Sequence, residues 1–287
     1  MKYIYYPGCS LEGSAVEYDG ATRALMAELG GALIDIEDWN CCGATAAEPM
    51  SELLSFVLPA RNIALAEKIK EAGDILVPCS ACYLNLKKVM KERDVDENLS
   101  KRINEVLAVD DLSIKGTRQV RHLLDVLAHD IGAAKISELV INPLEGLKVA
   151  PYYGCQCLRP YGGFDDPEEP TTMTPLIEAC GATIFPWNSA ATCCGASGMN
   201  TKREVAGQLV QNILMDARGA DAIVTVCPMC QMNLEGFQKS VARGTNEDLS
   251  ITVLYLPQIL GLAMGLSAEA VMLHKNLAVA ETFLEAL

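Results

Sequence analysis

One pattern of cysteines occurs twice, and nothing else restricts this chain as much. In the first half Y-Y-P-G-C ends at Cys9, W-N-C-C-G carries Cys41 and Cys42, and V-P-C-S-A-C carries Cys79 and Cys82. In the second half Y-Y-G-C ends at Cys155, T-C-C-G carries Cys193 and Cys194, and V-C-P-M-C carries Cys227 and Cys230. The order is kept, with offsets of 146 (Cys9 to Cys155), 152 (Cys41 to Cys193) and 148 (Cys79 to Cys227). Arg61-Asn62-Ile63 answers Gln211-Asn212-Ile213, and D-L-S-I recurs at Asp111 and Asp248. A repeat of this length implies two equivalent folding units. Their boundary is expected between Ile131 and Gly146, where Pro143 and Gly146 punctuate before a new strand at Lys148–Tyr153. We divide the chain into residues 1–138 and 139–287.

Each half alternates short apolar runs with helical spacing. Tyr3–Tyr6, Ala32–Ile36 and Asp74–Val77 read as strands; Thr22–Leu29, Leu54–Ile69 and Cys82–Met90 read as helices. That alternation predicts an α/β fold of two tandem pseudo-symmetric domains, each a small, mostly parallel sheet flanked by helices. In such sheets ligands collect at the carboxyl ends of the strands. Five thiols per half follow strands or their loops, so they should gather at one edge.

The uncharged run Ile251–Ala268 touches the lower length limit for a membrane span. Pro257, Gln258, Gly261, Gly265 and Ser267 interrupt it, and its repeat counterpart, Thr117–Asp130, reads as an ordinary charged helix. A buried strand and then a buried helix are expected here, with no membrane span.

Length sets the chemistry the thiols can have. A chain of 287 residues buries a core without covalent staples, and apolar Tyr3–Pro7 is too short for a secretory leader. A reducing cytoplasmic location is expected, where twelve cysteines indicate metal or redox work. The 37 acidic against 23 basic residues leave a net charge of −14, which argues against nucleic acid or an anionic membrane as the main partner.

Structural zinc takes four ligands, usually from two C-x-x-C knuckles, and would leave a thiol over. A cubane iron–sulfur cluster takes four thiolates from a compact run that is missing here. Five thiolates suit a larger or differently joined iron–sulfur assembly; zinc and copper(I) remain alternatives for a soft, thiolate-only site. Cys41 and Cys42 can serve one site only if the chain bends beside them, and Gly43, like Gly195, can take the positive φ such a bend needs. Each C-x-x-C pair adds a helix N-terminus that stabilises thiolate. A thioredoxin-like reading of Cys79/Cys82 alone is displaced by the repeated Cys-Cys-Gly partner. Cys157 and Cys180 match Leu11 and Leu29 in the repeat and read as small hydrophobes. His122, His129 and His274 read as surface or packing residues, although His122, aligned with Gln258, is the candidate proton donor. With no G-x-G-x-x-G and no Walker loop, no flavin or nucleotide is expected in this chain.

Two Cys-Cys-Gly units, each with the upstream cysteine and the downstream C-x-x-C, resemble the HdrB family of heterodisulfide reductases and its bacterial relatives. The resemblance covers nearly the whole chain. It implies a non-cubane [4Fe-4S] cluster on Cys9, Cys41, Cys42, Cys79 and Cys82, and a second on Cys155, Cys193, Cys194, Cys227 and Cys230. It also implies reduction of a small anionic disulfide, such as that of coenzymes M and B, by homolytic cleavage between the clusters. Electrons would come from an HdrC-like ferredoxin subunit fed by an HdrA-like flavoprotein. Arg159, Lys202, Arg203, Lys87 and Lys88 are the cations nearest the thiols in sequence and are candidates to steer that substrate, with solvated surface charge as the plainer role. The alternatives are an electron-relaying subunit and a sulfur-oxidising relative that acts on another thiol or persulfide carrier. Unequal spacing between Cys9 and Cys41 and between Cys155 and Cys193 implies that the two sites differ in loop shape.

Overall fold

The computed structural model describes residues 1–71, 73–243 and 248–285. Its first half contains strands β1 (Lys2–Tyr5), β2 (Ala32–Asp35), β3 (Ile75–Val77) and β4 (Val120–His122). Between and after them run helices α1 (Gly8–Glu12), α2 (Val16–Glu28), α3 (Ala47–Met50), α4 (Glu52–Lys68), α5 (Ser80–Val95), α6 (Glu97–Leu107), α7 (Leu123–Val126) and α8 (Ala133–Leu139). The second half contains β5 (Lys148–Tyr152), β6 (Thr183–Ile184), β7 (Ala222–Thr225) and β8 (Thr252–Tyr255). Its helices are α9 (Thr174–Ala179), α10 (Arg203–Asp216), α11 (Pro228–Gly236), α12 (Gln238–Ala242), α13 (Leu256–Ala263) and α14 (Glu281–Glu285).

Each half forms one four-stranded sheet, in the orders β2-β1-β3-β4 and β6-β5-β7-β8, with every pairing parallel. The central strands are apolar on both faces because helices cover both: Ile75, Leu76, Val77, Ala222, Ile223 and Val224 are fully buried. Edge strands β2 and β6 are short and part-exposed. The other edges, β4 and β8, turn toward the opposite half. Helix α13 packs on α2 across the junction, and one apolar cluster continues from β1 through β7 to Phe283.

The fourth strand corrects one sequence expectation. Thr117–Asp130 is not a single helix, since Val120–His122 pairs with β3 and only Leu123–Val126 is α-helical, followed by a π-type turn at Leu127–Ile131. Three residues are too few to show a period. Arg121 lies between buried Val120 and His122 and bonds Asp125 and Asp130, the alternation of a strand. Strand register also corrects the repeat alignment at this point. Val77 pairs with His122 and its equivalent Thr225 pairs with Tyr255, so the counterpart of His122 is Tyr255, not Gln258. Both residues close a last strand and precede a helix. The uncharged run Ile251–Ala268 supplies β8 and buried α13, and no described helix is long and apolar enough to cross a membrane.

Candidate metal centres

The carboxyl ends of β1, β2 and β3 deliver the five thiols of the first half to one place. Cys9 lies in α1 directly after β1, Cys41 and Cys42 lie in the loop after β2, and Cys79 is the N-cap residue of α5, with Cys82 one turn on. Cys9 Sγ is 3.5 Å from Cys41 Sγ, and Cys42 Sγ is 3.3 Å from Cys82 Sγ. The second half repeats the arrangement after β5, β6 and β7: Cys227 caps α11, and Cys194 Sγ is 3.5 Å from Cys230 Sγ. All five of its thiols line one narrow cleft, part of it open to solvent. All ten sequence-predicted thiols are thus brought together, five by five.

The bend at the cysteine pair follows the expected glycine. Gly43 has φ +77° and Gly195 φ +75°, and their amides donate to Cys41 Sγ at 3.5 Å and Cys193 Sγ at 3.3 Å. The inner thiols are buried, whereas Cys9, Cys41 and Cys193 face solvent. Cys42 is held well below the usual thiol range, first by its contact with the Cys41 thiol, then by Cys82, against the opposing effect of burial. Cys193 is drawn down to about 6 by the Cys155 thiol, the Gly195 amide and the nearby Arg159 guanidinium, again against burial. Each site therefore contains a thiol poised as the thiolate that metals bind.

Sequence reasoning missed a supporting set that the repeat shares. Tyr6 Oη donates to the carbonyl of Asn40 at 2.8 Å, and its equivalent Tyr152 to that of Thr192 at 2.6 Å; those carbonyls immediately precede the two cysteine pairs. Asn85 Nδ2 donates to the Cys42 carbonyl at 3.2 Å, and Asn233 Nδ2 to the Cys194 carbonyl at 3.1 Å. The signal was present as C-x-x-C-x-x-N in both halves. Trp39 and Trp187, the chain's two tryptophans, pack against Tyr6 and Tyr152.

Of the candidate cations, Arg159 stands beside the second site, its guanidinium bonded to the carbonyls of Ala191 at 2.7 Å and Pro167 at 3.0 Å. Lys88 is 3.6 Å from Glu48 and 4.5 Å from the Phe56 ring centroid, Lys87 lies over Tyr83, and Arg203 over Phe237. Exposed Lys202 directly precedes α10, its amide on the Gly198 carbonyl. Cys157 is fully buried and donates to the Tyr153 carbonyl at 3.3 Å; Cys180 is buried on the helix face. His122 is fully buried, and burial lowers it to about 4.

Among the described residues, no three or more His, Cys, Asp or Glu side chains form the shell of a single metal ion. The donor set is thiol only, spread over pairs, with backbone amides aimed at sulfur. Such a set fits a polynuclear iron–sulfur group better than a closed zinc tetrahedron.

The cysteine-rich domain family (CCG) matches residues 3–87 and again 149–235. A Wolinella succinogenes protein named 8-methylmenaquinol:fumarate reductase membrane anchor subunit is 34% identical over 279 residues, 96% of each chain. The HdrB chain of a ferredoxin/F(420)H(2)-dependent CoB-CoM heterodisulfide reductase from Methanosarcina acetivorans is 30% identical, covering 96% of this chain and 93% of its own. An HdrB-like heterodisulfide reductase protein of Archaeoglobus profundus is 29% identical over 280 residues, 94% of this chain and 93% of its own. A crystal structure of a hypothetical protein from Helicobacter pylori superimposes with a TM-score of 0.77 at 13% identity; it covers 98% of this chain, which spans about half (52%) of that one, and shows the fold alone. With both copies matched and full-length relatives at this identity, the chain belongs to the cysteine-rich CCG domain family and is homologous to the HdrB proteins of heterodisulfide reductases.

Proposed function

We propose that this chain is the iron–sulfur subunit of a heterodisulfide-reductase-type complex that reduces a disulfide between its two thiol sites. Cys9, Cys41, Cys42, Cys79 and Cys82 would hold one non-cubane [4Fe-4S] cluster, and Cys155, Cys193, Cys194, Cys227 and Cys230 the other, with residues 1–138 and 139–287 as the two units. Bound clusters supply electrons singly at two places, which suits RSSR + 2e⁻ + 2H⁺ → 2RSH. The observation that carries the reading is the closeness of the two C-x-x-C segments. One buried hydroxyl, Tyr18 Oη, lies 3.0 Å from the Pro78 carbonyl and 3.2 Å from the Val226 carbonyl, the residues directly before Cys79 and Cys227. The Arg159 guanidinium beside Cys193 gives an anionic substrate a cationic flank, while Lys88 is committed to Glu48. Exposed Cys9 and Cys41 leave the first site reachable by an electron-donating HdrC-like subunit, itself served by an HdrA-like flavoprotein, in the cytoplasm.

A second reading draws on the Wolinella relative: an electron-relaying subunit of a quinol:fumarate reductase complex. The test is anaerobic purification of the complex. Iron and acid-labile sulfide should reach about eight of each per chain, four per cluster. Oxidation of reduced viologen by the CoM–CoB disulfide supports the first reading, and quinol-dependent fumarate reduction without disulfide turnover selects the second. Stoichiometric zinc in place of iron would overturn both.

A further inference from the structure

The halves interlock by exchanging aromatic rings, and the polar groups at that junction are not exchanged equally. Tyr18 stacks on Tyr255 of the second half, with centroids 4.1 Å apart and planes at 3°. Phe164, the repeat equivalent of Tyr18 at offset 146, stacks on His122 of the first half at 5.9 Å and 10°. His122 and Tyr255 are themselves equivalent, so the rings obey the pseudo-symmetry. The polar groups do not. Ser80, inside the first C-x-x-C pair, donates from Oγ to the carbonyl of Val226 at 2.9 Å, immediately before Cys227 of the second pair. Its equivalent is Pro228, which has no hydroxyl to send back.

His122 fixes the direction of this bond. Its Nδ1 accepts the Leu124 amide at 3.2 Å, which places the proton of the neutral ring on Nε2, and Nε2 lies 3.2 Å from Ser80 Oγ. The imidazole therefore donates to the serine oxygen and leaves the serine proton for the second half. The Ser80 hydroxyl and the His122 ring are both buried, 1% and 0% exposed, and that serine hydroxyl has a single proton to give. Water does not compete for it.

We infer that Ser80, oriented by His122, is a positioning residue of the second thiol site and not of the pair in which it lies, and that it makes the two sites unequal in reduction potential. The inference rests on the reading of Cys227 as a cluster ligand. A hydrogen bond to the carbonyl directly before a ligand offsets negative charge beside the cluster, stabilises the charge that reduction adds, and so raises the potential. The second site is then the easier of the two to reduce.

The test is an EPR-monitored redox titration of the full chain in its complex, with each site followed alone in a Cys42→Ala or Cys194→Ala background. Ser80→Ala should disfavour reduction of the second site about tenfold, read as a fall of about 59 mV for a one-electron couple, with the first site unmoved. Ser80→Thr should restore it. His122→Phe, which keeps a ring against Phe164 but removes the donor, should shift the second site in the same direction, and it carries the test if Ser80→Ala does not accumulate. Loaded variants with an unchanged second-site midpoint, or with the first site displaced instead, overturn the proposal alone. A wild-type chain purified anaerobically without iron overturns the cluster reading and the proposal with it.

Discussion

Replacing Gly8 with alanine tests how the first site is built. Gly8 has φ +73°, and a Cβ there would lie 2.7 Å from Cys82 Sγ. Two costs combine. The left-handed backbone costs an L-residue about 1–2 kcal/mol. Carbon and sulfur that belong nearly 4 Å apart must also separate, which in a packed site costs about 1–3 kcal/mol. Gly154 is the internal control: its φ is +68°, but the added Cβ meets Cys230 Sγ at 3.0 Å. The backbone cost is common to both variants, so their difference isolates the sulfur contact. Gly8→Ala should destabilise by about 2–5 kcal/mol, lowering Tm by about 4–10 °C at about 2 °C per kcal/mol for a chain of this size. Gly154→Ala should cost less. Calorimetry under anaerobic reducing conditions reads the stability, and iron per chain reads the site, where Gly8→Ala should lose the first cluster and keep the second. Unchanged Tm with full iron in Gly8→Ala, or a larger loss in Gly154→Ala, would refute this reasoning.

Cys42→Ala and Cys194→Ala should each remove about half the iron and abolish disulfide turnover, since one site cannot serve both sulfurs; full activity in either variant contradicts the paired arrangement. Cys180→Ala should cost only packing, about 1 kcal/mol, with iron content unchanged; iron loss on elemental analysis would make Cys180 part of a site. Burial raises the Glu235 carboxyl to about 7, opposed by the amides of Leu277 and Ala278, which donate to it at 3.2 and 3.3 Å. Between pH 4.5 and 7 the unfolded chain has given up a proton that the folded one keeps, so stability falls as pH rises across that window, by at most about 3 kcal/mol at about 1.4 kcal/mol per pH unit. Glu235→Gln keeps an acceptor for both amides and should flatten this fall; denaturant curves with the same pH slope in both proteins would count against it.

What the sequence made legible was the chemistry-bearing part. Cysteine is rare, and five in register twice have few physical explanations; glycine after the pair announced the positive φ that Gly43 and Gly195 adopt. Illegible were features that exist only through a partner in space. β4 is three residues long and is a strand because β3 offers Val77 an unpaired neighbour, so helical spacing in Leu123, Leu124 and Leu127 concealed it. Arg159 and Arg203 are equally cationic on paper. One guanidinium is bonded to the loop before Cys193, and the other lies over the Phe237 ring.

The pseudo-symmetry itself explains why a duplicated chain need not have duplicate sites. Residues that shape each cage are held equivalent across the repeat: Tyr6 with Tyr152, Asn85 with Asn233, Gly8 with Gly154 and Gly43 with Gly195. Residues at the junction occupy equivalent positions with different chemistry: Tyr18 with Phe164, Ser80 with Pro228, His122 with Tyr255. Aromatic rings stack with or without a polar group, so packing tolerates the Tyr18–Phe164 and His122–Tyr255 exchanges, whereas hydrogen bonding registers all three. The junction can therefore diverge in polarity while both five-thiol cages and the shared apolar core stay intact. Inequality between the sites arises where the halves meet, at buried groups that touch both.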